Sequence, residues 1–362
     1  MTAQADPRFM QLALALGRRG MGQVWPNPAV GCVIVRDGVI VGRGATQRGG
    51  RPHAERVALD QAGGAARGAT AYVTLEPCAH TGQTPPCADA LIAGGVTRVV
   101  VATGDPDARV AGQGIARLQA AGITVETGLM RYEAERDHAG FLMRVTRGRP
   151  VVTLKLASSL DGRIATGSGE SRWLTGPGAR RAVHGLRARH DAVLVGAGTA
   201  RADDPMLDVR DMGEVRQPVR VVISRGLHLP INGRLAQTAR DQPVWLCHGP
   251  DVDTRGWHKA GVETLECDTT RNRVDLTTVL RTLGARGITR VLCEGGGHLA
   301  ANLLQAHLVD ELVVFHAGLA IGSDGLPSLA GLGVRDLAQA PRFLLDRVAT
   351  VGGDVMQHWH PA

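Results

Sequence analysis

Lysine is nearly missing from this chain: of 41 basic residues only Lys155 and Lys259 are not arginine. Aromatic residues are also scarce, with five Trp, four Phe and two Tyr in 362 residues. A surface that stacks nucleic-acid bases needs aromatics and a dense basic stripe. Here the formal charge of +7 is scattered, with no basic run of five or more. That argues against a nucleic-acid platform and leaves an attraction for small phosphorylated molecules. No run of 18 apolar residues occurs, so no membrane-spanning helix is expected. Met1–Gly20 reads as a helix opened by Asp6-Pro7 and not as a leader peptide, so a cytoplasmic protein is expected. Six cysteines are too sparse for a disulfide framework. Cys32, Cys247 and Cys293 sit in apolar strand-like runs and read as packing residues; Cys267 follows a weaker run.

The remaining two cysteines have a different setting. His53-Ala54-Glu55 is followed by Glu76-Pro77-Cys78 and then by Cys87. One imidazole and two thiolates supply three of the four positions of a tetrahedral zinc and leave the fourth for water. Glu55 is too close in sequence to His53 to be an ordinary further ligand and is well placed to move protons. This division of labour is that of the zinc deaminases. The spacing departs from their common pattern, which has two residues between the cysteines. Here the segment 79–86, AHTGQTPP, separates them.

The first part of the chain reads as mixed α/β. Helices are expected over Asp6–Arg19 and His53–Ala62, with another starting at Cys87. Strands are expected at 29–35 and 39–44 around an Asp37-Gly38 hairpin turn, and at 69–75, 98–103 and 123–128. Residues 131–149 read as a charged helix ending at Arg147-Gly148-Arg149-Pro150, which sets a domain boundary between 148 and 149. Beyond it, apolar runs predict strands at 151–157, 192–197, 219–224, 244–248, 262–267, 290–295 and 311–316. Helices are expected near 177–189, 275–286 and 298–306.

In the second part, CEGGGHLAANLL (293–304) runs from a strand through three glycines into a helix. Such a junction lets backbone approach a phosphate and offers helix N–H groups to it, or simply makes a turn. It lacks the Gly-x-Gly-x-x-Gly spacing, so a Rossmann domain is not implied. VGAGTARADDP (195–205) is a second strand-to-glycine junction, closing on Asp203-Asp204. Lys155 stands inside an apolar strand and needs either a partner or a route to solvent. Arg172, Arg187 and Arg210 are plausible partners for phosphate or carboxylate.

Taken together, WPNPAVGCVIV, HAE and EPCAHTGQTPPC in the first half resemble the bifunctional deaminase–reductases of riboflavin biosynthesis, including the eight-residue gap. KLASSLDGRIA, SGESRWLT, DDPMLDVR and CEGGGHL resemble the same family in the second half. The resemblance implies an α/β chain with a cytidine-deaminase-like three-layer domain over 1–148 and a dihydrofolate-reductase-like domain over 149–362. It implies zinc on His53, Cys78 and Cys87, with Glu55 as the catalytic proton shuttle and Asn27 and His80 on the pyrimidine. It also implies NADPH lined by Ala157, Trp173, Thr199, Asp203, Ser224 and the loop Gly296, Gly297, His298, Leu299, Ala300, Ala301 and Asn302. Ser171, Arg187, Leu207, Arg210 and Glu294 would hold the substrate, a diamino-ribosylaminopyrimidinone 5′-phosphate. A homodimer or higher homo-oligomer through the second domain is implied as well, with no nucleic-acid or membrane partner. The competing readings are a nucleoside or RNA-base deaminase and a non-catalytic sensor with structural zinc.

Overall fold

The computed structural model describes residues 6–80, 85–108 and 110–362. Residues 81–84, inside the gap between the two cysteines, lie outside the described residues, as do residues 1–5 of the amino-terminal stretch. The chain divides into two compact units, Met1–Gly148 and Arg149–Ala362.

Unit 1 opens with α1 (Pro7–Arg18). Asp6 caps it by accepting from the Arg8 amide at 2.9 Å, and Pro7 fixes the first turn. Met10, Ala13, Leu14 and Gly17 recur at helical spacing and are buried. β1 (Gly31–Arg36) and β2 (Val39–Ala45) follow as a hairpin, with Asp37 and Gly38 at φ 51° and 77° in its turn. Then come α2 (Ala54–Ala62), β3 (Thr70–Val73), α3 (Cys87–Ala93), β4 (Arg98–Val101), α4 (Gln113–Ala120), β5 (Thr124–Thr127) and α5 (Arg131–Arg147). The sheet runs β2-β1-β3-β4-β5, antiparallel across β1 and parallel from β3 onward.

Cys32 and Ile34 of β1 pack with α2 and α3, while Val33 and Val35 pack with α1. Both faces are therefore covered, which is why β1 reads as a continuous apolar run without alternation. Helices on both sides of one sheet make three layers. α2 lies close enough to β2 that a Cβ on Gly44 would come 2.1 Å from the Ala54 carbonyl oxygen. Glycine permits that approach, and it seats the helix whose first turn carries Glu55.

Unit 2 begins with β6 (Val151–Ser159), β7 (Arg163–Ala165), α6 (Pro177–Ala188), β8 (Ala192–Gly196), α7 (Ala197–Asp203) and β9 (Val219–Ile223). It continues with α8 (Arg234–Gln237), β10 (Val244–His248), α9 (Arg255–Lys259), β11 (Glu263–Glu266) and the short ribbon β12 (Thr269–Thr270) and β13 (Arg273–Val274). α10 (Leu276–Ala285), β14 (Arg290–Cys293), α11 (Gly297–Gln305), β15 (Glu311–Ala317), β16 (Leu326–Pro327), β17 (Phe343–Val351) and β18 (Asp354–Pro361) complete it.

Its main sheet has nine strands in the order β11-β10-β9-β8-β14-β6-β15-β18-β17. The strands from β11 to β15 are parallel, and β18 and β17 add an antiparallel edge. The chain winds outward from β8 to β11, then returns to insert β14 between β8 and β6. Ligands of open parallel sheets bind beyond the carboxyl ends of strands where the winding reverses. Here that place is the ends of β6, β8 and β14.

The strands and helices expected from the apolar pattern are present in both units, with ends displaced by a few residues. The β17–β18 hairpin was not anticipated. The predicted helix near 298–306 starts one residue earlier, at Gly297. His53 is the N-cap of α2, not a residue within it. Among the described residues, no helix is long and apolar enough to cross a membrane.

Candidate active sites

In unit 1, His53 at the start of α2 meets Cys78, which follows β3, and Cys87, the first residue of α3. The His53 Nδ1 atom lies 3.3 Å from Cys87 Sγ and 3.8 Å from Cys78 Sγ. A tetrahedral zinc with ordinary Zn–N and Zn–S bonds holds such ligand atoms about 3.6–3.8 Å apart. The three ligand atoms all lie within 4.8 Å of one another, close to that arrangement. Among the described residues, this is the group of metal-ligating side chains found close together.

The two thiols differ in how they hold a proton. The Cys87 thiol bond lowers Cys78 to about 4, against burial and with help from His53. Cys87 is pushed up in turn, because Cys78 holds its proton. Glu55, only 4% exposed, is pushed up to about 7 by burial first and by the Cys78 sulphur second. A carboxyl poised near neutrality both accepts and returns a proton at working pH.

The chain fixes Cys78 from the side of Glu76, a residue whose part the sequence did not disclose. Glu76 is 4% exposed. Its Oε1 accepts from the amides of Gly114 and Ile115 at 3.0 and 3.2 Å. Its Oε2 accepts from those of Gly112 and Asp105 at 3.1 and 3.3 Å. The carboxylate thus satisfies amides at the start of α4, where the helix dipole also favours it. A Cβ on Gly114 would come 1.9 Å from the Pro77 carbonyl oxygen, so α4 lies hard against the segment leading into Cys78. Arg117 of α4 donates to the Ala79 carbonyl at 2.8 Å on the other side of that cysteine.

Of the two expected pyrimidine contacts, Asn27 donates to the Gly50 carbonyl at 3.0 Å, just before His53 in the chain. His80 is half-buried, and its Nδ1 is enclosed with no hydrogen-bond partner among the described residues.

In unit 2 a cavity of about 920 Å³ opens at the strand ends named above. Its volume suits a ligand larger than a single sugar phosphate. Ala157, Ser171, Thr199, Asp203 and Glu294 line it. So do Gly296, Gly297, His298, Leu299 and Asn302 of the glycine turn and α11. Lys155, which needed a partner, points into the same wall with its Nζ 4.0 Å from Glu294. Burial pulls the ammonium down, against the Glu294 charge. Burial also opposes the Glu294 charge, but Arg187 and Lys155 prevail and hold that carboxyl below its usual value.

Other expected contacts lie outside the cavity wall. Arg187 grips Glu294 with two bonds, 2.5 and 3.1 Å, and donates to the Asp208 carbonyl at 2.9 Å. It therefore positions the carboxylate. Arg210 is exposed and bonded to Asp208 at 2.8 Å. Leu207 is 3% exposed and packs in the core, so only its main chain can face a ligand. Ser224, Ala300 and Ala301 are also buried. Trp173 is 67% exposed under the Arg180 guanidinium, 4.7 Å from its ring centre. Arg172, by contrast, lines the cavity and donates to the Asp203 carbonyl at 2.9 Å.

Residues 150–356 match the family model described as the RibD C-terminal domain, over half of the chain. This chain belongs to the RibD family. Residues 3–103 match the zinc-binding region of cytidine and deoxycytidylate deaminases. The chain is 48% identical over 368 residues to the riboflavin biosynthesis protein RibD of Escherichia coli K12, covering 98% of each. It resembles the solved RibD of Acinetobacter baumannii at TM-score 0.90 and 40% identity, with 98% of both chains covered. A Thermotoga maritima structure described as a diaminohydroxyphosphoribosylaminopyrimidine deaminase/5-amino-6-(5-phosphoribosylamino)uracil reductase matches at TM-score 0.87, 35% identity and 98% of each chain. The chain is thus a bifunctional enzyme of riboflavin biosynthesis, a zinc-dependent deaminase and an NADPH-dependent reductase. The expected pairing of a deaminase-like domain with a reductase domain agrees with both family models.

Proposed function

We propose that unit 1 deaminates 2,5-diamino-6-ribosylamino-4(3H)-pyrimidinone 5′-phosphate and that unit 2 then reduces its ribosyl group to ribityl. The observation that carries this reading is the His53–Cys78–Cys87 triangle beside a buried Glu55. When bound there, zinc supplies Lewis acidity and an activated water. Glu55 takes the proton from that water and hands it to the departing amine. The water oxygen bonds to the pyrimidine carbon, the exocyclic C–N bond breaks, ammonia leaves and a carbonyl remains. Asn27 and the Nδ1 of His80, which has no partner among the described residues, suit contacts with the edge of the pyrimidine.

In unit 2, NADPH supplies a hydride, and solvent supplies the matching proton. Ala157, Thr199, Asp203 and the glycine turn suit the cofactor, because the turn offers backbone amides at the start of α11. Trp173, Ser224, Ala300 and Ala301 belong to the same set by position in the motifs. Ser171 and the Lys155–Glu294 pair suit the sugar. Arg187 is engaged with Glu294, so exposed Arg210 is the better partner for the substrate phosphate. The main chain of Leu207 lies three residues before that arginine.

Unit 2 also supports self-association. β17 forms an edge of the sheet, with Leu344, Leu345 and Val348 each about half exposed. Long apolar edge strands are normally covered. A second copy is the natural cover, in a cytoplasmic homo-oligomer with no nucleic-acid or membrane partner. Leu345→Lys should shift the protein to a smaller species in light scattering; unchanged mass would remove β17 from the interface.

The functional test is product analysis by mass. Without NADPH the protein should release ammonia only; adding NADPH should then add two hydrogens. Glu55→Gln should abolish ammonia release while leaving reduction of the pre-deaminated compound. Normal deamination by Glu55→Gln would reject the proton shuttle.

A further inference from the structure

The cavity of unit 2 extends past the groups used above. It runs from Lys155 and Ala157 on β6, past Glu294 after β14 and Gly196 of β8, to Ile223 and Arg225 at the end of β9. Adjacent strands stand about 4.8 Å apart, so three strand steps span roughly 14 Å. That is the reach of an extended dinucleotide. The carboxylates in the cavity wall, Glu170, Asp203 and Glu294, belong to other elements. At the β9 end the wall carries Arg225, Arg273 and Asn272.

The local structure explains why these side chains meet. β12 and β13 form a two-residue hairpin whose turn, Arg271-Asn272, has φ 50° and 63°. Asparagine tolerates that conformation. Arg273 leaves the turn and donates to Asn302 Oδ1 of α11 at 3.3 Å. A Cβ on Gly249 would lie 2.9 Å from Thr269 Cγ2 and 3.3 Å from Arg225 Cγ. The bare backbone of Gly249 therefore lets the β12 strand and the Arg225 stem come together. Arg225 is exposed, and among the described residues its guanidinium has no partner. The flanking carboxylates are turned toward α10: Asp275 accepts from the Thr278 amide and Asp268 from the Thr278 hydroxyl, both at 3.0 Å.

We propose that Arg225 and Arg273 form the site for the 2′-phosphate of NADPH and thereby make the reductase prefer NADPH over NADH. NADPH differs from NADH by one phosphomonoester, close to a dianion at neutral pH. Two guanidinium forks that make no ion pair among the described residues match that group. The inference rests on the reading that this cavity holds the cofactor.

The test uses the full-length protein and measures binding, not turnover. NADPH and NADH are titrated by fluorescence, and adenosine 2′,5′-bisphosphate and AMP by calorimetry. Loss of a charge-assisted bond should weaken NADPH about 10- to 100-fold in Arg225→Ala and less in Arg273→Ala. Affinities for NADH and AMP should stay within about twofold, and the double variant should hardly distinguish NADPH from NADH. Unchanged NADPH affinity, or equal weakening of both dinucleotides, overturns the proposal. Gly198→Trp checks the underlying placement, since Gly198 lines the cavity with open space beside it. If that variant binds NADPH normally, the cofactor lies elsewhere and the placement falls with the proposal.

Discussion

Glu76→Gln isolates one carboxylate without changing its shape. In the native protein each Glu76 oxygen accepts from two backbone amides in the 105–115 segment. A glutamine keeps one oxygen and replaces the other with an NH₂ group that cannot accept. Two amides are then left facing a donor. At about 1.5 kcal/mol for each buried amide without an acceptor, the loss is about 3 kcal/mol. The loss is concentrated at Gly112, Gly114, Ile115 and Asp105, so hydrogen exchange by mass spectrometry is the suitable assay. Opening of peptides covering 110–120 should become about 100-fold more frequent, since 1.4 kcal/mol is tenfold. Peptides of unit 2 should be unchanged. Because α4 also packs on Pro77 and holds Ala79, zinc should dissociate faster from the variant. If protection at 112–115 and zinc retention both match the wild type, Glu76 does not brace the metal ligand and the reasoning fails.

Other perturbations separate the two units. Cys78→Ser should lower zinc content and ammonia release together, while NADPH binding stays intact; metal analysis with both assays checks this. Arg187→Met should leave Glu294 buried beside only a distant Lys155 and destabilise unit 2 by about 3–5 kcal/mol. Adding Glu294→Leu should recover much of that loss in denaturant unfolding, and failure to recover it would show that the pair is not the cause. His190 is lowered to about 4, chiefly by burial, so the fold refuses a proton that the unfolded chain accepts below about 6.5. Its contribution is intact above pH 6.5 and should fall by about 3 kcal/mol between pH 6.5 and 4. His190→Gln should flatten the slope of unit 2 stability in that window; an unchanged slope assigns it to other groups.

The residues proposed to perform the deamination were legible because their types allow few alternatives. A histidine, two cysteines and a glutamate in the deaminase order name zinc chemistry before any coordinates are known. Apolar runs such as 151–157 and 244–248 announced central strands, since parallel strands buried on both faces lack alternation. The glycine junction at 295–297 likewise marked the cavity. The β17–β18 hairpin was missed although Gly352-Gly353 punctuates it, because β17 is largely exposed and its apolar residues do not alternate with polar ones.

What sequence alone determined is therefore local: residue type, short spacing and periodicity, which follow from bonding geometry within a few residues. It could not assign partners across the chain. Arg187 and Glu294 both read as substrate contacts, yet they lie 107 positions apart and bind each other. Glu76 lies 38 positions from the Gly114 amide that it caps, and nothing in the intervening sequence pairs them. Burial likewise turned Leu207, Ala300 and Ala301 toward the core. Such choices depend on which surfaces a folded sheet brings together, and only the tertiary structure decides them.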